Sequence, residues 1–431
     1  MNIKGSKICV VGLGYVGLPL AVAFGGKKST VGFDINKYRI SQLKEGIDIT
    51  GECSQEQLNK SKKLEFTYEE SNLKDCSIYI ITVPTPVKEN NTPDFSPLIS
   101  ASKLVAKYLD PDDIVIYEST VYPGATEDVC VPVLEQESGL KYNNDFYCGY
   151  SPERLNPGDK TNKLENIIKV TSGSTALVAE IVDNLYREII IAGTHKASSI
   201  KVAEASKVIE NTQRDVNIAF VNELSMIFDK LGICSKDVLD AASTKWNFQH
   251  FKPGLVGGHC IGIDPYYLIS KSQEHGFYPE VISASRRVNE EMADFVINKM
   301  LREMVSEYSA VPKRIAILGA TFKENCPDIR NSHSFKLADI ANRLKLHVDL
   351  YDPYASVDDC RKDYAYEISN EFIITSDYDC IIFAVAHDCY KKYDLKFFNE
   401  LKENGVKLIV DLKSIFSDIT PLPKGIKMIS L

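Results

Sequence analysis

The chain has 431 residues, of which 44% are hydrophobic and 25% charged, a composition typical of a soluble globular protein with two or three domains. Its formal net charge of -9 disfavours a polyanion such as nucleic acid as the main partner, because neutralising many phosphates requires clustered lysine and arginine. One small, well-enclosed anionic ligand is compatible with this charge.

The eleven cysteines are scattered, odd in number and never in CxxC spacing. This pattern indicates neither a zinc site nor a complete disulfide framework, so we expect no metal and a reducing, cytoplasmic location. The uncharged run at 8–26 resembles an export or membrane signal only superficially. Five glycines and Pro19 interrupt it, and a βαβ pattern continues from it.

A dinucleotide-binding fingerprint opens the chain. It lies between a strand predicted at 7–11 and a helix at 18–24, and its glycines are Gly12, Gly14 and Gly17. The first glycine makes the turn, the second lets a pyrophosphate approach the helix N-terminus, and the third lets helix and sheet pack. Asp34 ends the next strand, where it would bind the adenosine ribose and repel the extra phosphate of NADP. The pattern therefore predicts NAD.

Further apolar runs at 77–83 and 113–117 predict more strands of a parallel, doubly wound sheet, whose ligand lies beyond the carboxyl ends of the strands. A long helix is predicted from about 199 to 231 and another over much of 281–305, because apolar residues recur there near helical spacing. The Gly- and Pro-rich loop 247–265 lies between them.

After a linker predicted at 306–312, the opening pattern returns in weaker form, since 314–319 resembles 7–12 and the segment ending at Asp352 resembles the one ending at Asp34. We therefore predict an α/β protein with two Rossmann-like doubly wound parallel-sheet domains joined by a central helical region. The predicted domains are 1–198, which binds NAD, 199–305, which is helical and carries the cysteine loop, and 311–431, which is Rossmann-like.

Cys260 lies between small residues in the run Gly257 to Pro265, four positions before Asp264. A reactive thiol beside a hydride acceptor indicates oxidation through a thioester, because a thiolate can trap an aldehyde so that the same carbon is oxidised again. A buried structural cysteine in a turn is the alternative interpretation.

Several motifs in this order resemble the UDP-glucose/GDP-mannose dehydrogenase family over almost the whole chain. They are the fingerprint, SPER at 151–154, KVIEN at 207–211, GGHCIGIDP at 257–265, Phe322-Lys323 and Asp328 to Arg330. Within that family, KWNF at 245–248, PGLVGGHCIGIDPYYL at 253–268 and RRVNEEM at 286–292 look most like bacterial UDP-N-acetylhexosamine 6-dehydrogenases of surface-polysaccharide pathways.

The resemblance implies roles for individual residues. Cys260 is the nucleophile, Lys207 and Asn211 stabilise the developing oxyanion, Thr120 and Asp264 assist proton removal, and Glu153 serves thioester hydrolysis. Implied cofactor contacts, besides the glycines and Asp34, are Tyr15, Val16, Arg39, Thr85, Thr120 and Arg330. Implied substrate contacts are Glu153, Arg154, Lys207, Asn211, Gly257 and Lys323.

For His259, next to the thiol, we expect a packing or loop hydrogen-bonding role, because the chemistry of the family is assigned to lysine and carboxylates. Lys413 stands where many relatives carry an arginine that contacts substrate, and a lysine lacks the planar guanidinium fork.

The resemblance implies NAD-dependent, four-electron oxidation of the carbon-6 alcohol of a UDP-N-acetylhexosamine, GlcNAc or GalNAc, to the uronic acid. Alternatives are the same chemistry on UDP-glucose, GDP-mannose or UDP-ManNAc, a two-electron NAD dehydrogenase with a structural cysteine, and a non-catalytic NAD-binding protein. A homodimer or higher homo-oligomer is expected, because a long apolar central helix would otherwise expose a large patch.

Overall fold

The computed structural model describes residues 6–88, 90–155, 163–375, 378–419 and 421–431. Internal contacts divide the chain into two compact units: unit 1 comprises Met1–Glu210 and Tyr266–Phe277, and unit 2 comprises Asn211–Pro265 and Tyr278–Leu431. The division passes through a long helix. The three-domain boundaries stay a prediction.

Unit 1 is built on an eight-stranded sheet of short strands. Its strands are β1 Ile8–Val11, β2 Thr30–Phe33, β3 Leu64–Thr67, β4 Ile78–Ile81, β5 Ile114–Tyr117, β6 Tyr147–Tyr150, β7 Lys169–Gly173 and β8 Thr194–Lys196. Of these, β1, β2, β4 and β5 are fully buried. The eight strands lie in the order β3-β2-β1-β4-β5-β6-β7-β8. All neighbours pair in parallel except β6 and β7, which are antiparallel, so β7 and β8 run opposite to the other six strands of the predicted parallel sheet.

The helices of unit 1 are α1 Gly17–Gly25, α2 Lys37–Lys44, α3 Gln55–Lys60, α4 Ser96–Ala106, α5 Val131–Ser138 and α6 Ala176–Arg187. Residues of α1 and α6, including Phe24 and Tyr186, join the strand side chains Ile8, Ile78 and Ile114 in one buried core. Burying these apolar faces is the main stabilising contribution to such a layered domain.

Four helices separate the two sheets along the chain. They are α7 Ile200–Leu231, α8 Ser235–Ala242, α9 Asp264–Glu274 and α10 Glu280–Tyr308. The predicted long helix is confirmed, whereas the linker predicted at 306–312 is partly wrong because α10 continues to Tyr308. Met292, Val296, Ile297, Met300 and Met304 form one buried stripe near helical spacing, so packing extends this helix.

Unit 2 contains a six-stranded, wholly parallel sheet in the order β11-β10-β9-β12-β13-β14. Its strands are β9 Arg314–Leu318, β10 His347–Tyr351, β11 Ile368–Ser369, β12 Cys380–Phe383, β13 Leu408–Asp411 and β14 Lys427–Ser430. The helices α11 His333–Arg343, α12 Val357–Tyr364 and α13 Leu395–Glu403 complete it. The prediction of a second Rossmann-like domain is confirmed.

The first turns of the two units repeat one local design. Gly12 and Gly319 both have φ near +100° (95° and 102°), a conformation that glycine adopts without strain. The backbone N–H of Leu13 donates to Asp34 at 2.8 Å, and that of Ala320 donates to Asp352 at 2.7 Å. The weak internal repeat seen in the sequence therefore reflects the same strand, turn and acidic residue.

Candidate active site

The glycine turn after β1 fits a dinucleotide pyrophosphate. A Cβ on Gly14 would meet no atom within 4 Å, so the space above the turn is open to a ligand. A Cβ on Gly17 would overlap the carbonyl oxygen of Gly12 and the hydroxyl of Thr82, so only glycine lets α1 begin this close to the strand. This geometry matches the role predicted for each glycine, and Tyr15 and Val16 lie in the same turn.

Asp34 is fixed at the carboxyl end of β2. One carboxylate oxygen accepts from the N–H of Leu13 and the other from the N–H of Asn36, both at 2.8 Å. The side chain is half-buried beside the glycine turn. This is where the carboxylate that binds a ribose hydroxyl lies in dinucleotide-binding domains.

Arg39 lies behind the same turn and is 5% exposed. Its Nε donates to the carbonyl of Leu13 at 3.1 Å and its Nη2 to Asp48 at 2.8 Å, while Nη1 has no hydrogen-bond partner within the described part of the chain. Arg39 therefore buttresses the turn through two contacts. Contact of Arg39 with a cofactor stays a prediction, and Nη1 is the nitrogen that could make that contact.

Thr85 and Thr120, which follow β4 and β5, are brought together. The hydroxyl of Thr85 donates to the backbone carbonyl of Thr120 at 2.7 Å, and the Tyr267 hydroxyl donates to the carbonyl of Thr85. Neighbouring parallel strands end at one edge of the sheet, which places both threonines where a ligand of this sheet binds.

In unit 2, the cysteine turn and two predicted catalytic residues form one group. Cys260 is exposed, and its carbonyl accepts from the N–H of Asp264 at 2.9 Å at the start of α9. The Asp264 side chain is 2% exposed and accepts a 2.6 Å hydrogen bond from the amide of Asn211. Cys260 therefore lies on a turn closed by the backbone N–H of Asp264, whose buried side chain is bonded to Asn211.

The glycines before the cysteine pack closely on the segments that follow β9. The N–H of Gly258 donates to the carbonyl of Arg330 at 3.2 Å, and a Cβ on Gly257 would lie 2.6 Å from the carbonyl oxygen of Asn331. The guanidinium of Arg330 pairs with both oxygens of Asp328. Gly257, Arg330 and Phe322 thus lie around one loop, and the ligand contacts predicted for Gly257, Lys323 and Arg330 stay predictions.

His259 is held in its neutral form. Burial, followed by the positive charge of Arg330, lowers its pKa to about 4. At neutral pH its imidazole therefore carries no charge that could stabilise a neighbouring thiolate.

Lys207 and Asn211 lie one turn apart on α7. Lys207 belongs to unit 1 and is 8% exposed, yet within the described ranges its ammonium makes no hydrogen bond or ion pair. A largely buried cation without a partner is costly, and an anionic oxygen would compensate that cost. This supports the predicted role of Lys207.

Glu153 and Arg154 follow β6 in unit 1. One oxygen of Glu153 accepts from the N–H groups of Arg154 and Leu155, both at 2.6 Å. Arg154 donates to the carbonyl of Ile168 at 2.9 Å and pairs with Glu210 of α7. These contacts occupy two of the three nitrogens of the Arg154 guanidinium. Contact of Arg154 with a substrate stays a prediction.

A buried ionic cluster that the sequence did not predict lies next to Glu153. Lys169, at the start of β7, donates to Glu118 at 2.6 Å and to Glu153 at 3.3 Å, and Glu118 also accepts from the Tyr186 hydroxyl. A lysine within the apolar run IIKV was the available signal. Lysine is almost never fully buried unless it is paired.

Unit 2 also contains a basic cavity of about 210 Å³. Its lining includes the basic residues Lys236, His250, Lys252 and Lys413 together with Phe251, Leu412 and Asp240, and Asp240 forms an ion pair with Lys236. Lys413 donates to the carbonyl of Pro253 at 3.3 Å, and burial lowers its pKa. These groups suit an anion such as a diphosphate, and an anion would favour the charged form of Lys413.

The predicted catalytic residues thus fall into two sets. Thr120, Glu153 and Lys207 belong to unit 1, and Asn211, Cys260 and Asp264 belong to unit 2. Across the described ranges no group of three or more His, Cys, Asp or Glu side chains could hold a metal ion. No helix in those ranges combines the length and hydrophobicity needed to cross a bilayer.

Three family models match consecutive parts of the chain. They are the NAD binding domain of the UDP-glucose/GDP-mannose dehydrogenase family over residues 6–190, its central domain over 201–291 and its UDP binding domain over 316–418.

Individual relatives agree with these matches. The chain is 52% identical to UDP-N-acetyl-D-glucosamine 6-dehydrogenase of Pseudomonas aeruginosa, over 96% of this chain and 98% of that protein. It is 49% identical to Protein CapL of Staphylococcus aureus, over 95% and 96% of the two chains. Among solved structures, UDP-D-ManNAc dehydrogenase of Pyrococcus horikoshii superposes with a TM-score of 0.88 at 30% identity, covering 98% of each chain.

Proposed function

The chain belongs to the UDP-glucose/GDP-mannose dehydrogenase family and is an NAD-dependent nucleotide-sugar 6-dehydrogenase, and from that premise we propose that it oxidises a UDP-N-acetylhexosamine, GlcNAc or GalNAc, to the uronic acid through Cys260. The names of the relatives near 50% identity support the choice of sugar. We further propose a cytoplasmic enzyme that supplies surface-polysaccharide synthesis, in line with the name CapL.

The observation that carries the covalent mechanism is the exposed Cys260 on a turn closed by the N–H of Asp264, whose buried side chain is bonded to Asn211. NAD, when bound, supplies the hydride acceptor for each oxidation. Asp264 and Thr120 order a water and assist removal of the proton from the carbon-6 hydroxyl. Lys207 and Asn211 stabilise the oxygen as it gains negative charge, which is commonly the largest contribution in such chemistry.

The Cys260 sulfur adds to the carbon of the resulting aldehyde and forms a thiohemiacetal, whose oxidation gives a thioester. Water, activated by Glu153, then adds to the thioester carbon, the carbon–sulfur bond breaks, and the uronic acid leaves. His259 takes no proton in this scheme, because its pKa of about 4 keeps it neutral.

We propose that the basic cavity of unit 2 takes the diphosphate part of the substrate. Lys413 would contact the phosphates as a point charge where many relatives use arginine. Lys413→Met should raise KM for the nucleotide sugar and leave KM for NAD unchanged. The exposed Lys396 provides the matched control, Lys396→Met.

We also propose a homodimer formed through α7. Val202, Ile209, Phe220, Ile227 and Leu231 are each 45% or more exposed and recur at spacings of 7, 11, 7 and 4 residues, which places them on one face of the helix. Large exposed apolar patches of this kind mark association surfaces.

A panel of nucleotide sugars, scored by NADH formed and product identified, tests the proposed reaction. We expect two NADH per sugar and a uronate from UDP-N-acetylhexosamines. Exclusive use of UDP-glucose would overturn the proposal that the substrate is a UDP-N-acetylhexosamine. One NADH per sugar with an accumulating aldehyde would favour a two-electron enzyme with a structural cysteine, and NAD binding without turnover would favour a non-catalytic protein.

A further inference from the structure

Four ionisable side chains meet in the interior of unit 1, and the proposed reaction uses only one of them. Lys169 is 2% exposed and contacts Glu118, Glu153 and, through Glu118, Tyr186. The ammonium also lies 5.5 Å from the centroid of the Tyr186 ring. Each of the four residues comes from a different part of the fold. They are Glu118 directly after β5, Glu153 in the loop after β6, Lys169 at the start of β7 and Tyr186 in α6.

Fold stability alone gives no reason for this arrangement. Removing two charges from water costs several kcal/mol for each ion, and apolar replacements of buried ion pairs are often neutral or stabilising. A buried ion cluster next to a candidate catalytic carboxylate therefore points to a role in the reaction.

The cluster fixes both oxygens of Glu153. Oε1 accepts from the backbone N–H groups of Arg154 and Leu155, and Oε2 accepts from the ammonium of Lys169. Lys169 is the one side-chain donor to Glu153 within the described ranges. Without it, the carboxylates of Glu118 and Glu153 would face each other in a medium of low dielectric constant, and one of them would have to bind a proton.

The titration behaviour of the cluster agrees with this geometry. Burial raises the pKa of Glu118 to about 7, although the charge of Lys169 opposes the rise. Burial acts to lower the pKa of Lys169, but Glu118 and Glu153 more than offset this effect, so its pKa lies above the usual lysine value. Lys169 is therefore charged throughout the working pH range.

We propose that Lys169 is a positioning residue for thioester hydrolysis, which holds the carboxylate of Glu153 in place while Glu118 and Tyr186 hold the ammonium of Lys169. This inference rests on the proposed function, in which Glu153 serves the hydrolytic step. In that step the water oxygen bonds to the thioester carbon, Glu153 takes the proton of the water, and the carbon–sulfur bond breaks to return the Cys260 thiolate. The oxidation state does not change, so no further reactant is needed.

The test is Lys169→Met, which retains the length of the side chain and removes its charge. We expect a burst of two NADH per active site at the wild-type rate, followed by a kcat about 100-fold lower, the loss typical of a misplaced catalytic group. Intact-protein mass spectra should contain a sugar acyl adduct on Cys260.

The double variant Lys169→Met with Glu118→Gln protects the test against misfolding, since it leaves no unpaired Glu118 carboxylate, and we expect the same slow hydrolysis from it. Lys141→Met, at an exposed lysine of unit 1, is the matched control and should behave as wild type. Wild-type hydrolysis in both Lys169 variants, or a burst slowed as much as kcat, would overturn the inference. If the wild-type enzyme itself forms one NADH and no Cys260 adduct, the proposed function fails instead.

Discussion

The amide nitrogen of Asn211 lies 2.6 Å from a carboxylate oxygen of Asp264, although the two residues are far apart in the sequence. Asp264 is buried at the first position of α9, and its own N–H donates to the carbonyl of Cys260. One side chain of the long helix therefore holds the carboxylate of the residue whose backbone N–H closes the cysteine turn. This pair unites two residues that the family resemblance had assigned separately.

Asp264→Asn should retain the hydrogen bond with Asn211 and remove the negative charge. We expect kcat to fall by about 10²- to 10⁴-fold, the range for loss of a general base, with a nearly unchanged melting temperature. Steady-state NADH formation and thermal melting measure the two effects. Asp237→Asn, on the exposed surface of α8, is the control, and an unchanged kcat in Asp264→Asn would remove Asp264 from the mechanism.

Cys260→Ser should trap the substrate as a slowly hydrolysed ester, because oxygen is a poorer leaving group than sulfur. Intact-protein mass spectrometry after mixing with substrate and NAD should detect an adduct with the mass of the acylated enzyme. Cys234→Ser alters the other exposed thiol of the described chain and should leave turnover unaffected. Undiminished uronate production by Cys260→Ala would exclude covalent catalysis.

Asp34→Asn tests cofactor choice. A hydrogen bond to a charged group contributes about 1.5–3 kcal/mol, so kcat/KM for NAD should fall by roughly 10- to 150-fold. Activity with NADP should rise, because the repulsion of the 2′-phosphate is lost. Initial rates with both cofactors give the ratio, and Asp75→Asn at an exposed site provides the reference. An unchanged ratio of NAD to NADP activity would mean that the adenosine ribose does not bind at Asp34.

His259→Gln should leave the kcat profile near neutral pH unchanged, because the pKa of His259 is lowered to about 4 by burial and then by Arg330. An unfolded histidine titrates near 6.5, so between about 6.5 and 4 the unfolded state binds more protons and stability falls as the pH falls. Urea unfolding above and within this pH window should show that the free energy of unfolding falls less on acidification in His259→Gln than in the wild type. A displaced activity profile would instead make His259 a proton carrier.

Phe220→Glu with Ile227→Glu should convert the proposed dimer into a monomer, since each carboxylate would lose its hydration in the buried interface. Light scattering at working concentration measures the mass. Arg214→Glu, exposed on α7 away from the apolar face, should preserve the dimer. A wild-type monomer would refute the proposal directly.

The sequence by itself determined the features that depend on neighbouring residues. Only glycine tolerates both the positive φ of Gly12 and the close approach of α1 to the preceding turn at Gly17. The three glycines of the fingerprint therefore predicted this turn. The period of apolar residues similarly determined α7, because 3.6 residues per turn leave a local signature. Even so, α10 extends into the predicted linker as far as Tyr308, because the end of the helix depends on what Met304 packs against.

Only the tertiary structure decided which polar groups meet. The contacts of Asn211 with Asp264, of Arg39 with Asp48 and of Lys169 with Glu118 and Glu153 join segments that nothing local connects. Whether a lysine lies in water or in a core depends on which strands pair and which helix covers them. The free energy of a charge changes by several kcal/mol between those environments, so its chemistry follows from the fold.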